Sequence, residues 1–388
     1  MAQADAGTGA IDRSHTPVAS NDVTGGSLHS ATPVEVQVET SREDFETYRP
    51  SWVDALADRV RRLPVPAWVV YFVSGLALTL LFVVSELAYG SSLAEAITLE
   101  TVLAGSSGVY ALALLHYLDN WAGTALKQYR PVMRVEEPEY RRLHYRFTTL
   151  PARQTLVATV IGIFYGVLGW FVFEENPIEG GEPSSLLLFV YGLNAIIYIL
   201  SYMLIVVMVY HTIHQLRLVN LLYTHYTRIN LFQLGPLYAL SGLAARTAIG
   251  LAIPTYLWVQ VNTTTATKDT AATIFESAFL GLVIVATFVW PLWGAHRLLQ
   301  QEKQRLKDAA ASRVEATIAE LHTRVDSRDL RDGNVLKDVL DGLVTEQGLV
   351  DKLPTWPWQP ELARGVGAAF LLPLFIWFVQ RLLERLGF

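Results

Sequence analysis

Six long apolar runs divide this chain, and the loops between them alternate in charge. One run covers residues 68–87, and the others end near Tyr117, Trp170, Tyr210, Val261 and Trp293. Each approaches the ~20 residues that a helix needs to cross ~30 Å of hydrocarbon. A chain patterned in this way folds in a bilayer, because only there are so many apolar faces matched by their solvent. Composition agrees: 52% of the residues are hydrophobic and 17% are charged, against about a quarter charged in ordinary soluble domains.

The loops set the expected orientation. Arg59, Arg61 and Arg62 precede the first run. Lys127, Arg130, Arg134, Arg141, Arg142, Arg146 and Arg153 lie between the second and third, Arg217 and Arg228 follow the fourth, and Arg297, Lys303, Arg305 and Lys307 follow the sixth. The opposite loops lack bases: residues 89–99 have none, 173–185 carry Glu174, Glu175, Glu179 and Glu182, and 261–273 contain only Lys268. Basic loops stay on the cytoplasmic side. The expectation is a multi-pass protein of the plasma membrane with its N-terminus in the cytoplasm and the lipid bilayer as its first partner.

The expected fold is all-α: a polytopic membrane helix bundle of about six spans, a cytosolic helical hairpin and a C-terminal membrane-associated helix. Residues 1–42 read as a disordered tail, too polar to bury a core and without the basic start and apolar stretch of a cleavable signal peptide. Residues 43–65 hold a juxtamembrane amphipathic helix starting at Pro50 and Ser51. Its apolar face, Trp52, Val53, Leu56, Val60 and Leu63, is expected to lie on the inner membrane surface.

The bundle occupies residues 66–294. Its second span is the weakest, with the run Gly105-Ser106-Ser107-Gly108 in need of cover from neighbouring helices. Its third carries Gly162, Gly166 and Gly169 at a spacing that lets two backbones approach.

Beyond Trp293 the chain turns polar while keeping a helical period through Leu299, Leu306, Ala310, Val314, Ile318, Leu321 and Val325. The sixth span is therefore expected to run on into the cytosol, reaching ~45 Å from the membrane at ~1.5 Å per residue. Asp332-Gly333 breaks the pattern. Val335, Leu336, Val339, Leu340, Leu343 and Val344 begin the return arm of the hairpin, which spans residues 295–353 and carries a coiled-coil-like apolar stripe. In residues 354–388, Pro354, Trp356, Pro357 and Trp358 lead into a last apolar helix. Its core, residues 366–379, is short for a span, which favours an interfacial or re-entrant placement over crossing.

Few residues suggest chemistry. Arg246 interrupts the fifth run, where an ionisable group is costly and marks a functional site by default. With Glu276, Glu86 and Asn194 it forms a candidate intramembrane polar site for an anion or proton. The competing readings are an ion pair that fixes helix register, and a shifted register in which Arg246 snorkels to the interface. His211 and His214 share a helix face at the end of the fourth span, with His116 at the same depth. They are candidate ligands, but as interfacial histidines they are better placed to hydrogen-bond than to bind metal or haem. No catalytic motif, phosphate-binding glycine loop or dinucleotide fingerprint occurs, so neither enzyme activity nor a cofactor is expected. Asn262-Thr263-Thr264 matches a glycosylation sequon only formally. The absence of cysteine excludes disulfides and thiolate chemistry, and a net charge of −6 argues against nucleic acid.

Three roles remain: a scaffold or signal-coupling protein acting through the hairpin, an ion or small-anion transporter or channel built on Arg246, and a lipid-active enzyme supported only by the interfacial histidines. The hairpin, read from two consecutive periodic segments, favours the first. Its stripe and the glycine face leave room for a homo-oligomer or a cytosolic protein partner.

Overall fold

A computed structural model describes residues 48–173, 184–228, 230–264, 270–328 and 333–385. The expected tail at 1–42 and the loop glutamates 174, 175, 179 and 182 lie outside the described residues, as do Lys268 and Asp332. Among the described residues the structure is helical, with only two isolated backbone bridges, Pro50 to Pro151 and Met133 to Thr227. In chain order the helices are α1 (Trp52–Arg61), α2 (Ala67–Ala88), α3 (Leu93–Ala96), α4 (Leu99–Tyr129), α5 (Glu137–Thr148), α6 (Ala152–Phe173), α7 (Ser185–His225), α8 (Gly235–Thr264), α9 (Thr270–Asp326), α10 (Gly333–Lys352) and α11 (Pro360–Arg385).

Six of these, α2, α4 and α6 to α9, contain segments long and apolar enough to cross a membrane. Their outer surface fits that medium: Trp68, Phe72, Val73, Leu80 and Val84 on α2, and Phe164, Tyr165 and Phe171 on α6, stand exposed. A water-facing surface this greasy and contiguous is not compatible with a soluble monomer.

α4 is the central helix, packed against α2, α7 and α8, while α6 lies along α7 and α9 lies along α8 and α7. The weak second span gains its cover here. A Cβ on Gly105 would stand 2.5 Å from the Thr79 Cα, so α2 and α4 meet backbone to backbone at that glycine. Gly162 plays the same part for α6, whose backbone lies so close to α7 that a Cβ would fall 2.6 Å from the Met203 Cα. Small residues replace side-chain bulk with backbone contact where there is no hydrophobic drive between helices.

α1 departs from the expected surface helix. Ser51 caps it in a reciprocal box, in which the Asp54 amide donates to Ser51 Oγ at 3.3 Å and the Ser51 amide donates to Asp54 Oδ2 at 2.8 Å. The same carboxylate oxygen accepts from the Leu150 amide at 3.1 Å. Tyr48 Oη donates to the Thr149 carbonyl at 2.7 Å, and Trp52 Nε1 donates to Thr159 Oγ1 at 2.9 Å. Val53, Ala57 and Val60 are buried, while Leu63 is exposed. The apolar face of α1 is thus turned into the α5–α6 junction. Burial contributes roughly 1.5–3 kcal/mol for each such valine, and the directed hydrogen bonds fix the pose.

α9 runs unbroken for 57 residues through Pro291. Its second half pairs with α10 in opposite direction: Lys307 Nζ meets Asp351 Oδ1 at 2.6 Å, and Arg313 Nη1 meets Glu346 Oε1 at 3.2 Å. Lys303 Nζ donates to the carbonyls of Asp351 and Leu353 at 2.8 and 2.7 Å. Trp356 and Trp358 stack on α9. The Trp356 ring lies 3.8 Å from His296 and 4.2 Å from Trp358, which in turn stacks on Phe288 at 5.3 Å.

Candidate functional site

One group of buried polar side chains lies where α4 and α7 approach the arginine-rich end. Asp119 of α4 places Oδ1 2.8 Å from Nε2 of His211 on α7, with the two side chains 5% and 2% exposed. The two side chains form a hydrogen bond inside packed helices. His211 Nδ1, Thr212 Oγ1 and both amide atoms of Gln215 are buried and find no protein partner among the described residues. At ~100° per residue, positions 211, 212 and 215 fall within about 100° of arc on α7, so these groups line one seam. Buried polar groups of this kind are served by ordered water or by a bound ligand. An Asp–His pair beside such groups can hold and relay a proton.

The sequence reading missed Asp119. The second apolar run ends near Tyr117, which places Asp119 in a loop, whereas α4 continues helically to Tyr129. The available signal was spacing: Asp119 follows His116 by three residues and shares its side of a helix.

The three candidate histidines have separate partners. His116 Nε2 lies 2.9 Å from Arg61 Nε, and its Nδ1 lies 2.9 Å from Tyr71 Oη. Because arginine only donates, Nε2 must accept, so the proton sits on Nδ1 and the ring is neutral. His214 Nε2 faces the Arg146 carbonyl at 3.3 Å and therefore donates to it, joining α7 to α5. Among the described residues there is no group of three or more His, Asp or Glu suited to a metal ion.

The four-residue intramembrane constellation is not assembled among the described contacts. The Arg246 guanidinium lies 3.6 Å over the Trp121 ring, and its Nη1 donates to the Gly242 carbonyl at 2.9 Å. Trp121 lies five residues beyond His116 on α4, which is ~7.5 Å further toward the arginine-rich end. His116 itself contacts Tyr71 and Arg61, near the start of α2. The Arg246 guanidinium is thus held by a cation–π contact and by a backbone carbonyl of its own helix. Asn194 and Glu86 lie toward the opposite end. Ser85 Oγ stands 3.1 Å from Asn194 Oδ1, and Ser91 Oγ donates to Glu86 Oε2 at 3.3 Å. The side chain of Glu276 lies outside the described residues.

Outside the spans, burial pushes the Asp54 carboxyl up from its ordinary value, against the hydrogen bonds from Ser51 and Leu150 that hold it down. Burial, with Lys127 nearby, lowers the affinity of His144 for a proton.

No protein-family model matches the chain, and neither a curated protein nor a solved structure matches it.

Proposed function

We propose that this chain is a membrane-embedded coupling protein, in which α9 and α10 form a cytosolic arm that presents the state of the bundle to a partner. The observation that carries this reading is the continuity of α9. One helix both packs against α7 and α8 and supplies the arm, so a tilt of its apolar half moves the polar half with it. The base of the arm is anchored where His296 Nδ1 donates to the Thr355 carbonyl at 2.8 Å. Val335 and Val339 leave one face of α10 apolar and exposed. In this reading that face meets a cytosolic protein or a second copy of the chain, with the N-terminus also in the cytoplasm of a cell whose plasma membrane holds the bundle. The test is deletion of residues 296–352 with the bundle retained. Loss of the cellular phenotype with normal insertion supports coupling, and full activity without the arm rejects it.

A second reading, passage of a proton or small ion, draws on the partnerless polar atoms of His211, Thr212 and Gln215. Flux in proteoliposomes that is stopped by His211→Ala and not by Arg246→Ala supports it. No flux across a panel of ions rejects it.

A further inference from the structure

We propose that the recess where α9 leaves the bundle is a binding site for a phosphate-bearing anion, held by Arg134, Arg228 and Arg305. The recess has a volume of about 480 Å³ and draws its lining from three separate segments: Arg134 after α4, Thr227 and Arg228 after α7, and Gln301, Glu302 and Arg305 on α9. Sites for small organic ligands fall in this size range, roughly 300–1,000 Å³.

The backbone holds the two loop arginines together. Met133 and Thr227 form an isolated bridge, the Arg134 amide donates to the Tyr226 carbonyl at 2.8 Å, and the Arg228 amide donates to the Val132 carbonyl at 2.7 Å. These bonds do not involve the side chains, so the two arginines are placed at one recess by a framework independent of their charge. Glu302 pairs with Arg305 at 3.0 Å. Among the described residues Arg134 and Arg228 have no carboxylate partner. Three arginines and one glutamate line the recess, and that glutamate is paired with Arg305.

Juxtaposed like charges are costly unless an anion joins them. The guanidinium fork matches the oxygens of a phosphate group, which it binds through paired charge-assisted hydrogen bonds. Gln301 adds a neutral amide for the ester part. The site stands at the arginine-rich end of the bundle, where α9 emerges. A phosphate group there has two sources, a phospholipid headgroup or a soluble phosphate ester. An occupant would bridge both loops to α9.

The test uses the full chain. In one arm, the protein is reconstituted into mixed phosphatidylcholine–phosphatidylglycerol vesicles, extracted, and scored for retained phosphatidylglycerol by native mass spectrometry. In the other, it is held in phosphatidylcholine nanodiscs and titrated with glycerol 3-phosphate and inorganic phosphate. Wild-type binding should fall at least about tenfold in Arg134→Ala/Arg228→Ala, as expected for the loss of charge-assisted hydrogen bonds. Arg134→Lys/Arg228→Lys, which keeps the charge and loses the fork, should fall between the two. Arg141→Ala, an exposed arginine outside the recess, should bind as wild type does. Both substituted side chains are exposed and their backbone bonds survive, so the variants keep the fold; unchanged unfolding midpoints verify this. Loss in the lipid arm alone assigns a headgroup, and loss in the soluble arm alone assigns a free phosphate ester. Binding that is absent in both arms, that is indifferent to the double alanine variant, or that falls equally in Arg141→Ala overturns the proposal.

Discussion

Asp119 and His211, 92 positions apart in sequence, meet at 2.8 Å between two membrane-length helices and are almost wholly buried. A buried pair of this kind constrains how α4 and α7 lie against each other, because neither member can move without leaving a polar group unserved. Removing one partner should therefore cost more than removing both. Asp119→Ala is expected to destabilise by about 3–5 kcal/mol, the range for breaking a buried pair, and Asp119→Leu/His211→Leu by less than either single truncation. Asp119→Asn should fall between wild type and alanine, since its carbonyl still accepts from Nε2. Apparent unfolding midpoints in detergent, arranged as a double-mutant cycle, give the ordering. A double variant as unstable as the sum of the singles would show that the two side chains act independently.

Backbone contact at Gly162 should be equally exacting. A methyl there meets the Met203 Cα at 2.6 Å, with main chain rather than a flexible side chain in its way, whereas a Cβ on Gly192 has nothing within 4 Å. Gly162→Ala is expected to lower stability by about 1–3 kcal/mol, the usual cost of overpacking. Gly192→Ala should be neutral or stabilising by up to about 1 kcal/mol, because alanine is the better helix former. The comparison is read from unfolding midpoints of the two variants side by side. Equal effects would remove the close α6–α7 approach as the cause.

Much of this architecture is written in periodicity. The apolar runs yield six membrane-length helices because length and composition are local properties, and α9 stays continuous because nothing but Pro291 interrupts its pattern. What the pattern cannot convey is which helices adjoin. The sequence does not reveal that Arg246 of α8 lies over Trp121 of α4. Asp119 reads as a loop residue until α4 is seen to run past it. α1 shows the same limit: its apolar face is evident in the sequence, but only the hydrogen bonds from Leu150 and to Thr159 reveal that it faces protein. The partners of a polar side chain belong to tertiary structure, and a single sequence carries no record of them.

Asp54 links α1 to the α5–α6 junction and gives stability a pH dependence of known sign. Burial raises its folded-state pKa above the ordinary value of 3.8. The folded state then binds the proton more tightly than the unfolded chain, so this contribution is fully present below the unfolded pKa. It is lost as pH rises through the folded value. Asp54→Asn, which cannot ionise and keeps one acceptor oxygen, should remove that slope. The check is the unfolding midpoint of both proteins in steps from pH 3.5 to 6. A wild-type midpoint that rises more steeply with pH than that of Asp54→Asn would contradict the assignment.

The base of the arm offers the sharpest test of rigidity. Trp356 lies between His296 and Trp358, at 3.8 and 4.2 Å, and removing its ring takes away the surface on which residues 354–358 are seated against α9. The ion pair between Arg313 and Glu346 is half-exposed, and pairs of this kind contribute less than about 1 kcal/mol. Trp356→Ala should therefore loosen α10 far more than Arg313→Ala does. Because the chain contains no cysteine, spin labels can be introduced at Ala316 and Asp341, exposed positions on facing stretches of α9 and α10, without background. The distance distribution is expected to be narrow in the otherwise unmodified protein and in Arg313→Ala, and broadened in Trp356→Ala. A distribution left narrow by Trp356→Ala would mean that the apolar stripe, with Lys303 and Lys307, holds the arm without the aromatic stack. The coupling reading would then have to place its anchor at those residues.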